Sequence, residues 1–186
     1  MTLLEIKKKT LALIEELNPD SEYLTDDPDI AAKMIEVINQ VMHELIRLRK
    51  IPKYAEIDVC EGDILTFDDI AKAVGYDVYQ LGTVGGVGFT YRANGTVIKI
   101  LEDGVLEVDC FIYPERISEK TKNNFELELP PDLLEIMPYG IAADLLKSDI
   151  SSDYGKIYAD RYETMLGRLD PRYAMPSITV EGGYNI

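Results

Sequence analysis

Leu133-Leu134-Glu135-Ile136-Met137-Pro138-Tyr139-Gly140-Ile141-Ala142-Ala143-Asp144-Leu145-Leu146, followed by the run from Tyr154 to Leu169, decides how this chain is read. Both stretches carry apolar residues at helical spacing, and both stand near the end of the sequence. In the second, Tyr154, Ile157, Tyr158, Arg161, Tyr162, Met165, Leu166 and Leu169 fall on or near one helix face. Helices at one end need a partner for their apolar faces, and the start of the chain offers one.

Thr2 can cap a first helix reaching to about Leu17, which Asn18-Pro19 stops. Asp27-Pro28 opens a second, with proline in the first turn, where its missing N–H costs nothing. Ile30, Met34, Val37, Ile38, Val41, Leu45 and Leu48 form its stripe, and Ala31, Ile35, Met42 and Ile46 widen it. It ends near Lys50, before Pro52. The third helix, from Pro130-Pro131-Asp132, should kink or restart at Pro138. Asp170-Pro171 ends the fourth, which Ser148–Asp153 should cap.

Between the helical parts the period changes. Tyr54, Glu56, Asp58 and Cys60 alternate with Ala55, Ile57 and Val59, as in a strand. Asp68–Val74 reads as a short helical turn and Asp77–Val84 as a second strand. Phe89–Ala93 and Thr96–Leu101 flank Asn94-Gly95, the strongest hairpin signal in the chain. Glu102-Asp103-Gly104 is another turn, before Val105–Tyr113. The last three runs predict a meander. The expectation is therefore an α+β chain, mainly a bundle of four helices with an inserted antiparallel meander or small sheet. Residues 1–53 and 130–171 form a discontinuous helical domain, 54–129 the β-rich insertion, and 172–186 an extended tail.

A chain of 186 residues can bury most of the surface its unfolded form exposes. The net charge of −15 argues against nonspecific binding to nucleic acid or anionic membranes. The acidity concentrates in the insertion, which holds 6 basic and 15 acidic side chains. No apolar run reaches the roughly 18 residues of a membrane span, and Met1–Leu17 does not read as a signal peptide. The expected place is the cytosol, or a particle assembled from it. Cys60 and Cys110 read as buried free thiols of a reducing compartment.

Little in the sequence carries chemistry. His43, the sole histidine, reads as a solvated or half-buried helical residue. Zinc needs several Cys or His ligands, and the chain has three such residues in all. Gly82–Gly88 has the glycine content of a phosphate loop but no following Lys-Ser/Thr pair, so it reads as a mobile hairpin end. Asp68-Asp69 and Glu102-Asp103 lie in turns, where solvated charge is the default. No enzyme activity, cofactor or metal is expected.

The remaining candidates are contacts. Arg47, Arg49, Lys50 and Lys53 complement the C-terminal end of the second helix dipole, and can also meet an acidic neighbour or passing DNA. Tyr154, Tyr158 and Tyr162 stand at i, i+4 and i+8, as half-buried core with hydroxyls reaching water or as an intersubunit row. Ile178 and Val180, in the apolar run Ala174–Val180, suit a frayed end or an added edge strand on a neighbouring chain.

The layout resembles phage head–tail connector proteins, also called adaptors or head-completion proteins. The resembling segments are Val105–Pro114 with its aromatic-Pro end, Leu129-Pro130-Pro131-Asp132 leading into Tyr139–Leu146, and Tyr154–Glu163 with Leu166 and Leu169. They are built of packing residues, and are strongest over 105–170. The resemblance implies a structural neck protein of a phage or prophage, in the virion or in host cytoplasm during assembly. It implies a self-assembled ring, often of twelve copies, on the portal and against tail-completion proteins, with DNA passing through without specific binding. Two rival functions come from other classes. One is an acidic binding module that mimics DNA, which needs carboxylate rows on one elongated face. The other is a small enzyme using insertion carboxylates in a cleft.

Overall fold

A computed structural model describes residues 1–92, 97–147 and 153–169. Among them the order is α1 (Leu3–Leu13), α2 (Pro28–Leu48), β1 (Ile51–Val59), β2 (Ile64–Thr66), α3 (Phe67–Val74), β3 (Val78–Gly85), β4 (Phe89–Arg92), β5 (Val97–Ile100), β6 (Gly104–Ile112), α4 (Pro131–Leu146) and α5 (Tyr154–Gly167).

The four-helix bundle with an inserted meander is not what forms. The chain is a mixed α+β fold with five helices and two separate three-stranded antiparallel sheets. One sheet has the order β1-β6-β3, the other β2-β5-β4. β4 and β5 pair as expected around Asn94-Gly95, although residues 93–96 lie outside the described set. The expected meander stops there. β6 does not return along β5; it leaves for the other sheet and lies between β1 and β3. The Glu102-Asp103 corner explains why. The Gly88 N–H donates to Glu102 Oε1 at 2.6 Å, and the Glu61 N–H donates to Asp103 Oδ1 at 2.7 Å. Those carboxylates tie the corner to two other segments rather than closing a two-strand turn.

Helix ends follow local chemistry. The Thr2 hydroxyl accepts from the Glu5 N–H while the Glu5 carboxylate accepts from the Thr2 N–H, a closed capping box. Those bonds hold the Glu5 carboxyl below its usual range, chiefly through the backbone N–H of Thr2. Asp27 Oδ1 accepts from the N–H groups of Asp29 and Ile30 at the head of α2. Thr66 and Asp69 repeat the capping box on α3, so the expected helical turn is a full eight-residue helix. α4 runs unbroken through the buried Pro138, without the expected restart.

Two apolar clusters result. The first joins α1, α2, α4 and Tyr162 of α5, with Ile117, Leu127 and Leu129 from the segment before α4. α4 is its hub and packs on α1, α2 and α5. Gly140 permits the last contact: a Cβ there would lie 2.8 Å from Cε2 of Tyr162. The second cluster fills the space between the two sheets and α3, with Ile70, Ile98, Ile100, Leu106, Val108 and Ile112 at its centre. Ile51 touches both. Beside it His43 stacks on Tyr113 at 4.6 Å between ring centroids and 12° between planes. Tyr79 leans on the same tyrosine, with centroids 4.8 Å apart.

The segment before α4 is pinned from both sides. The buried Asn39 side chain donates to the Ile117 carbonyl at 2.8 Å and accepts from the Ile117 N–H at 2.9 Å. Farther on, the Leu3 N–H donates to the Phe125 carbonyl and the Leu127 N–H to the Met1 carbonyl. The chain start and the approach to α4 are thereby knitted together.

Candidate functional site

The four basic residues at the end of α2 part company. Arg47 is exposed. Arg49 is buried, with Nη2 2.9 Å from Asp132 Oδ2 at the head of α4. This pair ties the point where the chain leaves the helical core to the point where it returns. Lys50 Nζ donates to Gln80 Oε1 at 2.7 Å and lies 4.7 Å from the centre of the Phe111 ring. Lys53 Nζ lies 4.5 Å above the ring of Tyr76. The cluster therefore becomes three separate contacts and one exposed charge.

The tyrosine row runs inward along α5. Tyr154 is 64% exposed, Tyr158 is half-buried and Tyr162 is buried. The Tyr158 hydroxyl donates to the Leu13 carbonyl of α1. The Tyr162 hydroxyl does not reach water. It has no partner in hydrogen-bond geometry, and burial together with the nearby Glu44 carboxylate pushes its pKa well up. Tyr154 and Ile157, which is 57% exposed, leave an apolar edge on α5. Ile178 and Val180 lie outside the described residues, as do residues 148–152 ahead of α5.

The outer face of β1 and β6 is acidic. Glu56, Asp58, Glu107 and Asp109 are all exposed there, and Glu56 sits directly opposite Glu107 in the register. Like charges in that position oppose pairing. Tyr54 stands opposite Asp109 on the same face, and its hydroxyl donates to Glu56 Oε1 at 3.0 Å. That bond, with burial and the neighbouring carboxylates, raises the Tyr54 phenol to about 12.

Of the glycine-rich stretch, Gly82–Gly85 belong to β3 and lie against β6. Gly86 has φ +88°, and a Cβ there would lie 2.3 Å from the Val105 carbonyl oxygen, so the glycine is required by close approach. Cys60 is exposed rather than buried, Cys110 is buried, and both are free. Burial pushes the Cys110 thiol up. Among the described residues no three His, Cys, Asp or Glu side chains are grouped to hold a metal, and no helix is long and apolar enough to cross a membrane.

Two grooves flank α1. One, of about 410 Å³, is lined by Lys7 of α1, Tyr23 and Leu24 of the following loop, and Ala31, Met34 and Ile35 of α2. Burial pulls the Lys7 ammonium below its usual pKa. The other, of about 440 Å³, lies between Lys9, Ala12 and Leu13 of α1 and Glu135, Pro138 and Tyr139 of α4. The Arg161 guanidinium is 5.8 Å from the centre of the ring of Tyr139, one of the groove's lining residues.

Tyr23, in the acidic loop between α1 and α2, is a surface feature that sequence reasoning did not single out. Tyr23, flanked by Asp20, Glu22 and Asp26, is 65% exposed. A lone aromatic among carboxylates was the available signal. No protein-family model matches this chain, and no curated protein sequence matches it.

Proposed function

We propose that this chain is a structural head–tail connector subunit, forming a ring on a phage portal and contacting tail-completion proteins. The observation that carries the reading is the α4–α5 hairpin. Two of the three segments that resemble the connector family, Leu129–Asp132 leading into Tyr139–Leu146 and Tyr154–Glu163 with Leu166 and Leu169, fall on or beside α4 and α5, which pack on each other through Gly140 and Tyr162, and α4 also packs on α1 and α2. A ring of identical copies needs an unlike pair of surfaces on each subunit. The chain presents several surfaces of different character, among them the exposed apolar edge of α5, the acidic face of β1 and β6, and the groove between α1 and α4. A net charge of −15 suits a conduit that lets duplex DNA pass without gripping its phosphates. Sedimentation of the portal protein from the same phage, with and without this chain, tests the reading. A heavier species containing equal copies of both proteins is the expected result. A portal that sediments unchanged overturns it.

A second reading has one observation in its favour. The four exposed carboxylates across β1 and β6 form two short rows on one sheet face, as a DNA mimic would need. Such a protein should displace duplex DNA from a basic partner. The Glu56→Gln/Glu107→Gln variant should lose that ability while remaining folded.

A further inference from the structure

The loop between α1 and α2 is built to hold one aromatic ring out. The Asn18 N–H donates to the Leu24 carbonyl at 2.8 Å, and the Asn18 side-chain amide donates to Asp26 Oδ2 at 2.6 Å. The Ser21 hydroxyl donates to the Thr25 carbonyl at 2.7 Å, with Thr25 itself buried. Leu24 turns through φ +65° and packs inward against the helical core. A leucine in the left-handed region is uncommon, and here it reverses the chain beside Tyr23. The ring projects from a fixed loop with Asp20, Glu22 and Asp26 exposed around it. Little conformational freedom remains to be lost on docking.

The groove between α1 and α4 is mainly apolar. Its walls are Ala12, Leu13, Pro138 and Tyr139. Lys9 and Glu135 are its charged lining residues, and the Arg161 guanidinium lies beside it, 5.8 Å from the centre of the Tyr139 ring. At 3.6 residues per turn, Lys9, Ala12 and Leu13 point to the side of α1 away from Lys7. Lys7 lines the groove shared with Tyr23. The ring of one copy therefore cannot fold back into its own α1–α4 groove.

We infer that the Tyr23 loop of one copy docks in the α1–α4 groove of a second copy, with Tyr23 against Leu13, Pro138 and Tyr139 and the loop carboxylates facing Lys9 and Arg161. Tyrosine is a favoured anchor in such contacts, and the charges are complementary apart from Glu135. The two surfaces differ and face apart, so the contact is heterologous and propagates into a closed ring or an open filament. The inference specifies the self-contact of the ring proposed above and rests on that reading for its closure.

Sedimentation velocity on the full chain tests it. The wild type should associate as concentration rises, and added salt should weaken the association. Tyr23→Ala should weaken it about tenfold or more, as expected for an anchor. Ala12→Glu, at an exposed helix position, should block the groove to a similar degree. Mixed in equal amounts, these two variants should form a dimer and nothing larger, because one retains the loop and the other the groove. Glu135→Lys should tighten the association, a gain that a folding defect cannot produce. A wild type that stays monomeric up to its solubility limit, variants that associate like the wild type, or a mixture that forms no dimer overturns the contact. The two readings fail separately. A ring on the portal that both single variants join unchanged would leave the connector function standing and remove this contact. Association obeying the mixing rule without any portal binding would do the reverse.

Discussion

Arg49 and Asp132 form an ion pair of 2.9 Å across the base of the segment that separates α2 from α4. Arg49 is buried, whereas the Asp132 side chain keeps 28% of its exposure. Removing the acid leaves a buried cation uncompensated, and removing the base leaves a carboxylate that water can reach. Asp132→Asn should cost roughly 2–3 kcal/mol, and Arg49→Met clearly less. Urea unfolding midpoints measure both. Equal losses would mean that the buried charge is not what the pair relieves.

Gly140 admits the Tyr162 ring. A methyl group there meets Cε2 at 2.8 Å and Cζ at 3.0 Å, so either the ring or α5 must move. Gly140→Ala gains helix propensity of about 1 kcal/mol and loses more to overpacking, for a net destabilisation of roughly 1–2 kcal/mol. In a Tyr162→Leu background the same change should become neutral or stabilising. A double-mutant cycle with no coupling would show that the two positions do not constrain each other.

Asn39 serves both backbone groups of Ile117 from within the apolar face of α2. Asn39→Leu leaves a buried N–H and a buried C=O unpaired. The cost should be about 2–4 kcal/mol. Amide exchange at Ile117 should accelerate more than exchange within α1.

Two phenols should mark the alkaline titration. Tyr54, tied to Glu56, ionises near 12 instead of near the usual 10. An ultraviolet titration of Tyr54→Phe should lose that late component, and Glu56→Gln should move it down. For Tyr162 the neutral form is favoured in the folded chain, through burial first and Glu44 second. The unfolded chain then sheds this proton earlier as pH rises, so above about pH 10 it binds fewer protons than the folded one and stability falls. Tyr162→Phe should make that decline shallower. It should cost little at neutral pH, because the hydroxyl it removes lacks a partner.

Helical periodicity located α1, α2, α4 and α5, and alternation located most strands, because both patterns are written in neighbouring residues. Strand partners are not. Asn94-Gly95 and Glu102-Asp103-Gly104 look alike as turn signals, yet the second is a corner between sheets, fixed by backbone donors far along the chain at Glu61 and Gly88. The β1–β6 pairing likewise joins segments that no local pattern connects. Arg49 reads as a helix-end charge until the turn into β1 brings it beside Asp132. Asn39 could have been noticed, being an amide among Val37, Ile38, Val41 and Met42 of the buried face. Tyr23 was equally visible, but only the folded loop reveals that its ring points outward.

Electron microscopy of the portal mixed with this chain would show the proposed assembly itself. A closed ring of chain copies should sit on the portal, with the α1–α4 groove of each copy against the Tyr23 loop of the next. Bare portals at saturating protein, or chain copies bound singly with no contact between neighbours, would contradict it.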